Sequence, residues 1–310
     1  MSRTSRSLHS ARVSRRLSLL IATMAIAGAL SYVVFVLTTR GQRFDTLAFE
    51  GRKATDLQIR ESLTFMMRLM TPPGVVLGCV YLAVAAARRG RLWSGLIASA
   101  SVVAAVALAE ILKFVLPRPH LTNLVEAPKE NTFPSGHSTA VLALVLAWVW
   151  IAPRCGRRPR VTLCVAGLIT WMTAMVGSGW HRPSDVVGGI ALATVVVATM
   201  LLSSELLGWI VDSSASDRGR PAEGQLTEDQ LTDDQPAEDP PSVGQVAAAG
   251  VGAVLASAIF VMSILNQRSD PRHSLGTYLV MVLLCNALAA TAVTLSWWGT
   301  GDSRPHPTRL

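Results

Sequence analysis

Long stretches of this chain carry no charge. Residues 17–37, 69–87, 161–180, 186–204, 246–265 and 275–298 contain no Asp, Glu, Lys or Arg. A seventh apolar run, 92–115, is interrupted only near its end by Glu110 and Lys113, and 138–152 makes an eighth if its helix begins around Ser135. A helix needs roughly 17 to 25 mostly apolar residues to cross the hydrocarbon core of a bilayer. The pattern therefore predicts an all-α, polytopic membrane helical bundle. The run at 17–37 follows several arginines, as a secretory signal would. It is longer than the apolar stretch of such a signal and no small-residue cleavage site follows it, so it is expected to be a retained span.

Composition agrees with that pattern, since 50% of residues are hydrophobic and only 15% are charged, too apolar for a soluble domain of this size. The net charge of +8 raises the question of nucleic acid, but the basic residues are scattered through short loops and form no basic domain. No nucleic-acid partner is expected. Arg3, Arg6, Arg12, Arg15 and Arg16 precede the first span, Arg88, Arg89 and Arg91 separate the second and third, and Arg154, Arg157, Arg158 and Arg160 separate the fourth and fifth. By the positive-inside rule these segments are cytoplasmic, so the loops 38–68, 116–137 and 181–185 face the other side. The long loop 38–68 is expected to form short surface helices. Residues 212–245, rich in Asp, Glu, Gln, Pro and Ser, cannot bury a core and read as a disordered cytoplasmic linker. The expected organisation is a basic tail at 1–16, a membrane core at 17–211, that linker, an appended transmembrane hairpin at 246–298 and a tail at 299–310, with both termini cytoplasmic. The four cysteines show no metal-ligand or CxxC spacing.

Three polar clusters break the apolar pattern on the outer face: KFVLPRP at 113–119, FPSGHS at 133–138 and WHRPSD at 180–185. Each has a bland reading. Lys113 and Arg118 could be snorkelling interface residues, with Glu110 as an i,i+3 partner of Lys113. Ser135 could be an ordinary helix N-cap, and Pro183 and Asp185 an ordinary first turn. Each also has a functional reading. A lysine point charge and an arginine fork suit phosphate oxygens, and a Ser-Gly helix N-terminus offers free backbone N–H groups to an anion. A histidine four residues before an aspartate can have its ring oriented by the carboxylate, leaving the other nitrogen free to attack. All three clusters falling at helix ends on one membrane face favours the functional reading.

FPSGHS at 133–138 and HRPSDVVGG at 181–189 resemble two signature motifs of the type 2 phosphatidic acid phosphatase family. The resemblance covers roughly residues 17–207. It implies a six-helix α-helical core, a reaction that needs no metal or other cofactor, and a transiently phosphorylated histidine. It also implies roles: His181 as nucleophile, Asp185 as its orienting carboxylate, His137 as the acid for the leaving group, and Lys113, Arg118, Ser135 and Gly136 as phosphate ligands. The resemblance departs from the family pattern twice. Arg118-Pro119 follows Lys113 by five residues instead of seven, and Ala174 and Met175 occupy positions where the family usually has Ser-Arg. Arg182, or His120, is the expected substitute for that arginine.

The expected function is a multi-pass cell-membrane phosphatase acting on a lipid phosphate or polyprenyl diphosphate at the extracytoplasmic face. A non-catalytic relative that binds phospholipid headgroups or a partner protein is the alternative, motivated by the missing arginine. A transporter would want polar residues near the midplane of the spans, and these spans have few. The lipid identity and the oligomeric state are left open by the sequence.

Overall fold

The computed structural model describes residues 3–51, 57–69, 72–122, 131–152, 157–206 and 271–299. These residues form α1 (Arg3–Ser31), continued by a π-helical turn (Tyr32–Val36), then α2 (Thr39–Gly51), α3 (Leu57–Leu69), α4 (Pro72–Ala87) and α5 (Leu92–Val115). After these come α6 (Gly136–Ile151), α7 (Arg157–Gly177), α8 (Pro183–Leu206) and α9 (Pro271–Gly299). No strand occurs among the described residues, and the all-α bundle expected from the apolar runs is observed.

Four of these helices are long and apolar enough to cross a membrane: Val13–Val36, Leu92–Val115, Pro183–Ser204 and Gly276–Val293. Two further apolar helices, Pro72–Ala87 and Gly136–Ile151, are shorter. At 1.5 Å per residue the 16-residue α6 extends about 24 Å, less than a full hydrocarbon core. It begins at the polar cluster, and the site thus lies just inside one end of the bundle. The linker at 212–245, the run at 246–265 and the final tail expected from the sequence lie outside the described residues.

Helix α8 is central and packs against α1, α5, α6 and α9. Close approach depends on small side chains. Along α5, Ala98, Ser101, Val102, Ala105 and Ala109 are fully buried, and their i, i+3/i+4 spacing forms one small-residue face. On α8, a Cβ at Gly189 would lie 2.6 Å from the Ser135 carbonyl oxygen, and one at Gly188 would lie 2.5 Å from the Phe133 ring. These two glycines bring the start of α8 against the start of α6, and with them two of the three polar clusters.

Two segments take deeper positions than their sequence suggests. The expected surface helices in 38–68 do form, but α2 buries Gly41, Gln42, Phe44, Asp45, Thr46, Ala48 and Phe49. The reason is α9, which covers α2 and sets Met281 against Phe44 and Ala48. Helix α9 also touches α7 and α8, with Asn286 donating to Thr173 Oγ1 at 3.1 Å. It is part of the same bundle.

Candidate functional site

Each motif segment is held by local helix-end chemistry. Ser135 is the N-cap of α6, and its Oγ accepts from the Ser138 N–H at 3.2 Å. Arg182 precedes α8, and its N–H donates back to Asp185 Oδ2 at 3.1 Å. An acid three residues into the helix thereby caps the N-cap N–H, as in a capping box. The two helix starts are joined directly, the Ser135 N–H donating to the Asp185 carbonyl at 2.9 Å. Such bonds satisfy the orphan donors of each first turn and fix the motifs against each other.

His137, in the first turn of α6, and His181, just before α8, come together here. His137 Nδ1 and His181 Nε2 are 3.3 Å apart, and the Trp180 ring meets His137 edge-on with centroids 5.3 Å apart. His181 is 7% exposed, and its Nδ1 is buried without a hydrogen-bond partner. Burial, reinforced by the nearby His137 and Lys113 charges and opposed by Asp185, pushes the His181 imidazole down to about 4. The ring is therefore neutral at physiological pH, with a lone pair available.

Lys113 stands in the last turn of α5, its Nζ 2.7 Å from Glu110 Oε1. That glutamate oxygen lies 2.7 Å from where a Gly136 Cβ would be, and Lys113 Nζ lies 3.4 Å from the same point. A negatively charged oxygen thus already sits between a lysine and the positive end of α6, the position that suits a phosphate oxygen. Any side chain at residue 136 would fill that position.

Asp185 is fully buried. Its Oδ2 accepts from Thr132 Oγ1 at 2.6 Å as well as from the Arg182 N–H, and its Oδ1 accepts from Arg118 Nη1 at 2.9 Å. The expected His181–Asp185 pair is thus linked through charge, while the carboxylate's hydrogen bonds go to Thr132, Arg118 and Arg182. Arg118, the offset arginine, has a side chain only 6% exposed, and its Nη2 also reaches Asp45 Oδ2 at 3.3 Å.

Asp45 on α2 went unread in the sequence. It is fully buried, and its Oδ1 and Oδ2 accept from the Ser184 N–H at 3.0 Å and the Ser184 Oγ at 2.6 Å. Burial first and the Asp185 charge second push its carboxyl above the usual range, while Arg118 and Ser184 pull it back. A signal was available: Gly41, Phe44, Asp45, Ala48 and Phe49 recur at helical spacing on one face, and a lone acid on an apolar stripe needs a partner. Gln42, on the same helix, secures the chain after Arg118 by donating to the Pro119 carbonyl and accepting from the Leu121 N–H.

Arg182 is 4% exposed and lines a small cavity with Arg118, Gln42, Thr46, Pro119, His120 and Thr122. The two expected substitutes for the missing arginine, Arg182 and His120, thus meet at one place. Ala174 and Met175, where the family carries Ser-Arg, are fully buried in the apolar core.

The sequence profile of the PAP2 superfamily matches residues 94–209. Decaprenylphosphoryl-5-phosphoribose phosphatase of Mycobacterium tuberculosis, in strains CDC 1551 / Oshkosh and ATCC 25618 / H37Rv, is 32% identical over 143 residues, covering 44% of this chain and 70% of the relative. No solved structure matches the chain. The matched span contains Lys113, Arg118, Ser135, Gly136, His137, His181, Arg182 and Asp185, and together with the phosphatase relative it supports a phosphatase activity. The chain belongs to the PAP2 superfamily.

Proposed function

We propose that this protein is a membrane phosphatase that removes a terminal phosphate from a lipid phosphate or polyprenyl-linked phosphate through a phosphohistidine on His181. The observation that carries the proposal is the pair of histidine nitrogens 3.3 Å apart, beside Lys113 and the first turn of α6. In the proposed reaction the neutral His181 Nε2 attacks phosphorus and forms a P–N bond. The P–O bond to the leaving group breaks as His137 gives a proton to the departing oxygen. Water then attacks the phosphohistidine, His137 takes a proton from it, and inorganic phosphate leaves.

In-line displacement needs the attacking and leaving atoms on opposite sides of phosphorus, so the two rings must part to admit the phosphate. His137 is the ring with room to move, being half-buried against the partly exposed Trp180. Lys113, Ser135 and Gly136 hold the phosphate on the α6 side, where it displaces the Glu110 carboxylate. Arg118, bonded to Asp185, and the adjacent Arg182 contribute positive charge. The arginine pattern of the loops favours the extracytoplasmic face for this end of the bundle, where a polyprenyl carrier would present its headgroup. The relative's name describes a decaprenyl-linked phosphoribose substrate, which fits a lipid-anchored phosphate.

Phosphate release from a panel of lipid phosphates in detergent micelles, with EDTA present, tests the reading. His181→Ala is expected to lower kcat by about 10⁴-fold or more, the scale of losing a covalent nucleophile. Release that survives the substitution would remove His181 from the chemistry. Failure of the wild type on every lipid would favour a headgroup-binding protein instead.

A further inference from the structure

Glu110 stands where a carboxylate is costly. Helix α5 turns Val103, Ala107, Ile111 and Phe114 outward, and Glu110 falls within that apolar stripe at the same i, i+3/i+4 spacing. An ionisable group on the outward face of a membrane helix is expensive and points to a function shared with a partner. The partner is Lys113, whose Nζ lies 2.7 Å from Glu110 Oε1. The reaction proposed above uses the lysine and gives the glutamate no task beyond leaving.

Lys113 does not need this pair to hold its place. The end of α5 is secured by Asn131, whose amide donates to the Lys113 carbonyl at 3.2 Å and to the Leu116 carbonyl at 2.8 Å, and buried Ala105 and Ala109 seat the helix. The carboxylate is placed instead as a ligand. Its Oε1 comes within 2.7 Å of a Cβ built at Gly136, and Lys113 Nζ within 3.4 Å of the same point, so one anionic oxygen is shared by the ammonium and the positive end of α6. The charges of Glu110 and Lys113 both reach His137, which puts this oxygen beside the histidine pair. With a side chain 51% exposed, against 22% for Lys113, Glu110 is the member of the pair with room to swing out.

We propose that Glu110 is an internal competitor for phosphate: its carboxylate fills the anion position while the site is empty, swings outward when a phosphate takes that position, and returns to Lys113 as inorganic phosphate leaves. The inference rests on the reading that Lys113 and the first turn of α6 hold the substrate's phosphate. A site that is open for only a fraction of the time binds every ligand more weakly by that same fraction. A lipid substrate concentrated in the bilayer tolerates the loss, whereas dissolved inorganic phosphate is held loosely and the product does not linger. The opposite role, a glutamate that steadies Lys113 for the substrate, predicts the opposite sign on substitution.

The test titrates inorganic phosphate into the full chain in micelles by calorimetry and measures KM and kcat on a lipid phosphate. Glu110→Gln should tighten phosphate binding by about 5- to 20-fold, the range of a half-exposed charge-assisted pair. Glu110→Ala should do so at least as much, since a neutral amide oxygen still accepts from Lys113, and it decides the matter if Glu110→Gln fails to fold. KM should fall by the same factor while kcat does not rise, as for uniform binding. In a Lys113→Gln background the gain should largely vanish, because the two residues act as one pair. Phosphate affinity that is unchanged or weaker in the folded variants overturns the competitor and makes Glu110 a support for Lys113. A gain that persists in full without Lys113 overturns it as well, leaving only a general charge effect. Phosphate affinity unmoved by Lys113→Gln alone removes the phosphate site itself, and the competitor with it. Titration needs no turnover, so the result stands or falls apart from the His181 chemistry.

Discussion

Two groups of residues meet at Asp185: His181, His137, Lys113 and the first turn of α6 form the histidine side, and Arg118, Arg182 and Asp45 the arginine side. The histidine side is built from helix ends, with a partly exposed lysine paired to Glu110 and the Trp180 ring against His137. The arginine side is buried and closed by long-range contacts. Asp45 reaches Arg118 across 73 positions and Ser184 across 139. In the proposed reaction the histidine side admits the phosphate and moves a proton, while the arginine side is a buried charge frame. The contrast teaches that positive charge near a phosphate site need not all serve the reacting phosphorus. Arg118 is held by two carboxylates.

Asp185→Asn disturbs the comparison most, because this carboxylate belongs to both sides. The amide keeps one acceptor oxygen but puts an N–H donor towards Arg118 or Thr132 and removes the charge that His181 feels. Turnover is expected to fall by about 10²- to 10³-fold, the scale of losing a preorganised charge or an orienting carboxylate. Steady-state kcat on a lipid phosphate checks the size.

Much of the histidine side was legible because its parts are local. Ser135 and Gly136 are recognisable as a helix start, Lys113 has Glu110 at i+3 spacing, and His181 and Asp185 bracket the start of α8. Gly188 and Gly189 make sense only once α6 and α8 are seen to touch. The arginine side was not legible. Nothing local to Asp45 names Arg118 or Ser184 as its partners, and the burial of α2 depends on α9, which follows it by more than 200 positions in the chain. The His181–Asp185 spacing suggested a direct bond because helical i,i+4 neighbours can touch. His181 lies before the first residue of α8, so that helical geometry does not apply. The hydrogen bonds go to Thr132, Arg118 and Arg182 instead.

Asp45→Asn acts on the arginine side alone. Removing one member of a buried ionic cluster generally costs several kcal/mol, but Arg118 keeps Asp185. A loss of about 2–3 kcal/mol is therefore expected, read as a lower thermal midpoint in detergent. The kinetic effect should be smaller than for Asp185→Asn, with KM rising more than kcat falls, because the frame positions bound substrate and touches no reacting atom. A kcat loss as large as that of Asp185→Asn would break the division between the two sides.

The smallest effect concerns acid. In the proposed reaction His181 acts as its neutral form, and burial lowers its pKa to about 4, so its share of activity is expected above that pH and is lost only as pH falls through it. At pH 5.5 roughly 97% of such a ring remains neutral, against roughly 9% for a histidine titrating at its ordinary 6.5. The pH dependence of kcat/KM reports groups of the free enzyme and free substrate. The limb due to His181 should therefore be almost flat between pH 7 and pH 5.5, once the substrate phosphate's own ionisation near 6 is measured separately and divided out. Folding stability shares the same origin and sign. Between pH 6.5 and about 4 the unfolded chain takes up a proton that buried His181 refuses, so stability declines as pH falls through that window. A kcat/KM limb near 6.5 with an unchanged melting profile would mean that the His181 ring is reached by water in the free enzyme. The histidine side would then be open down to its nucleophile, a sharper contrast with the closed arginine frame than the buried ring implies.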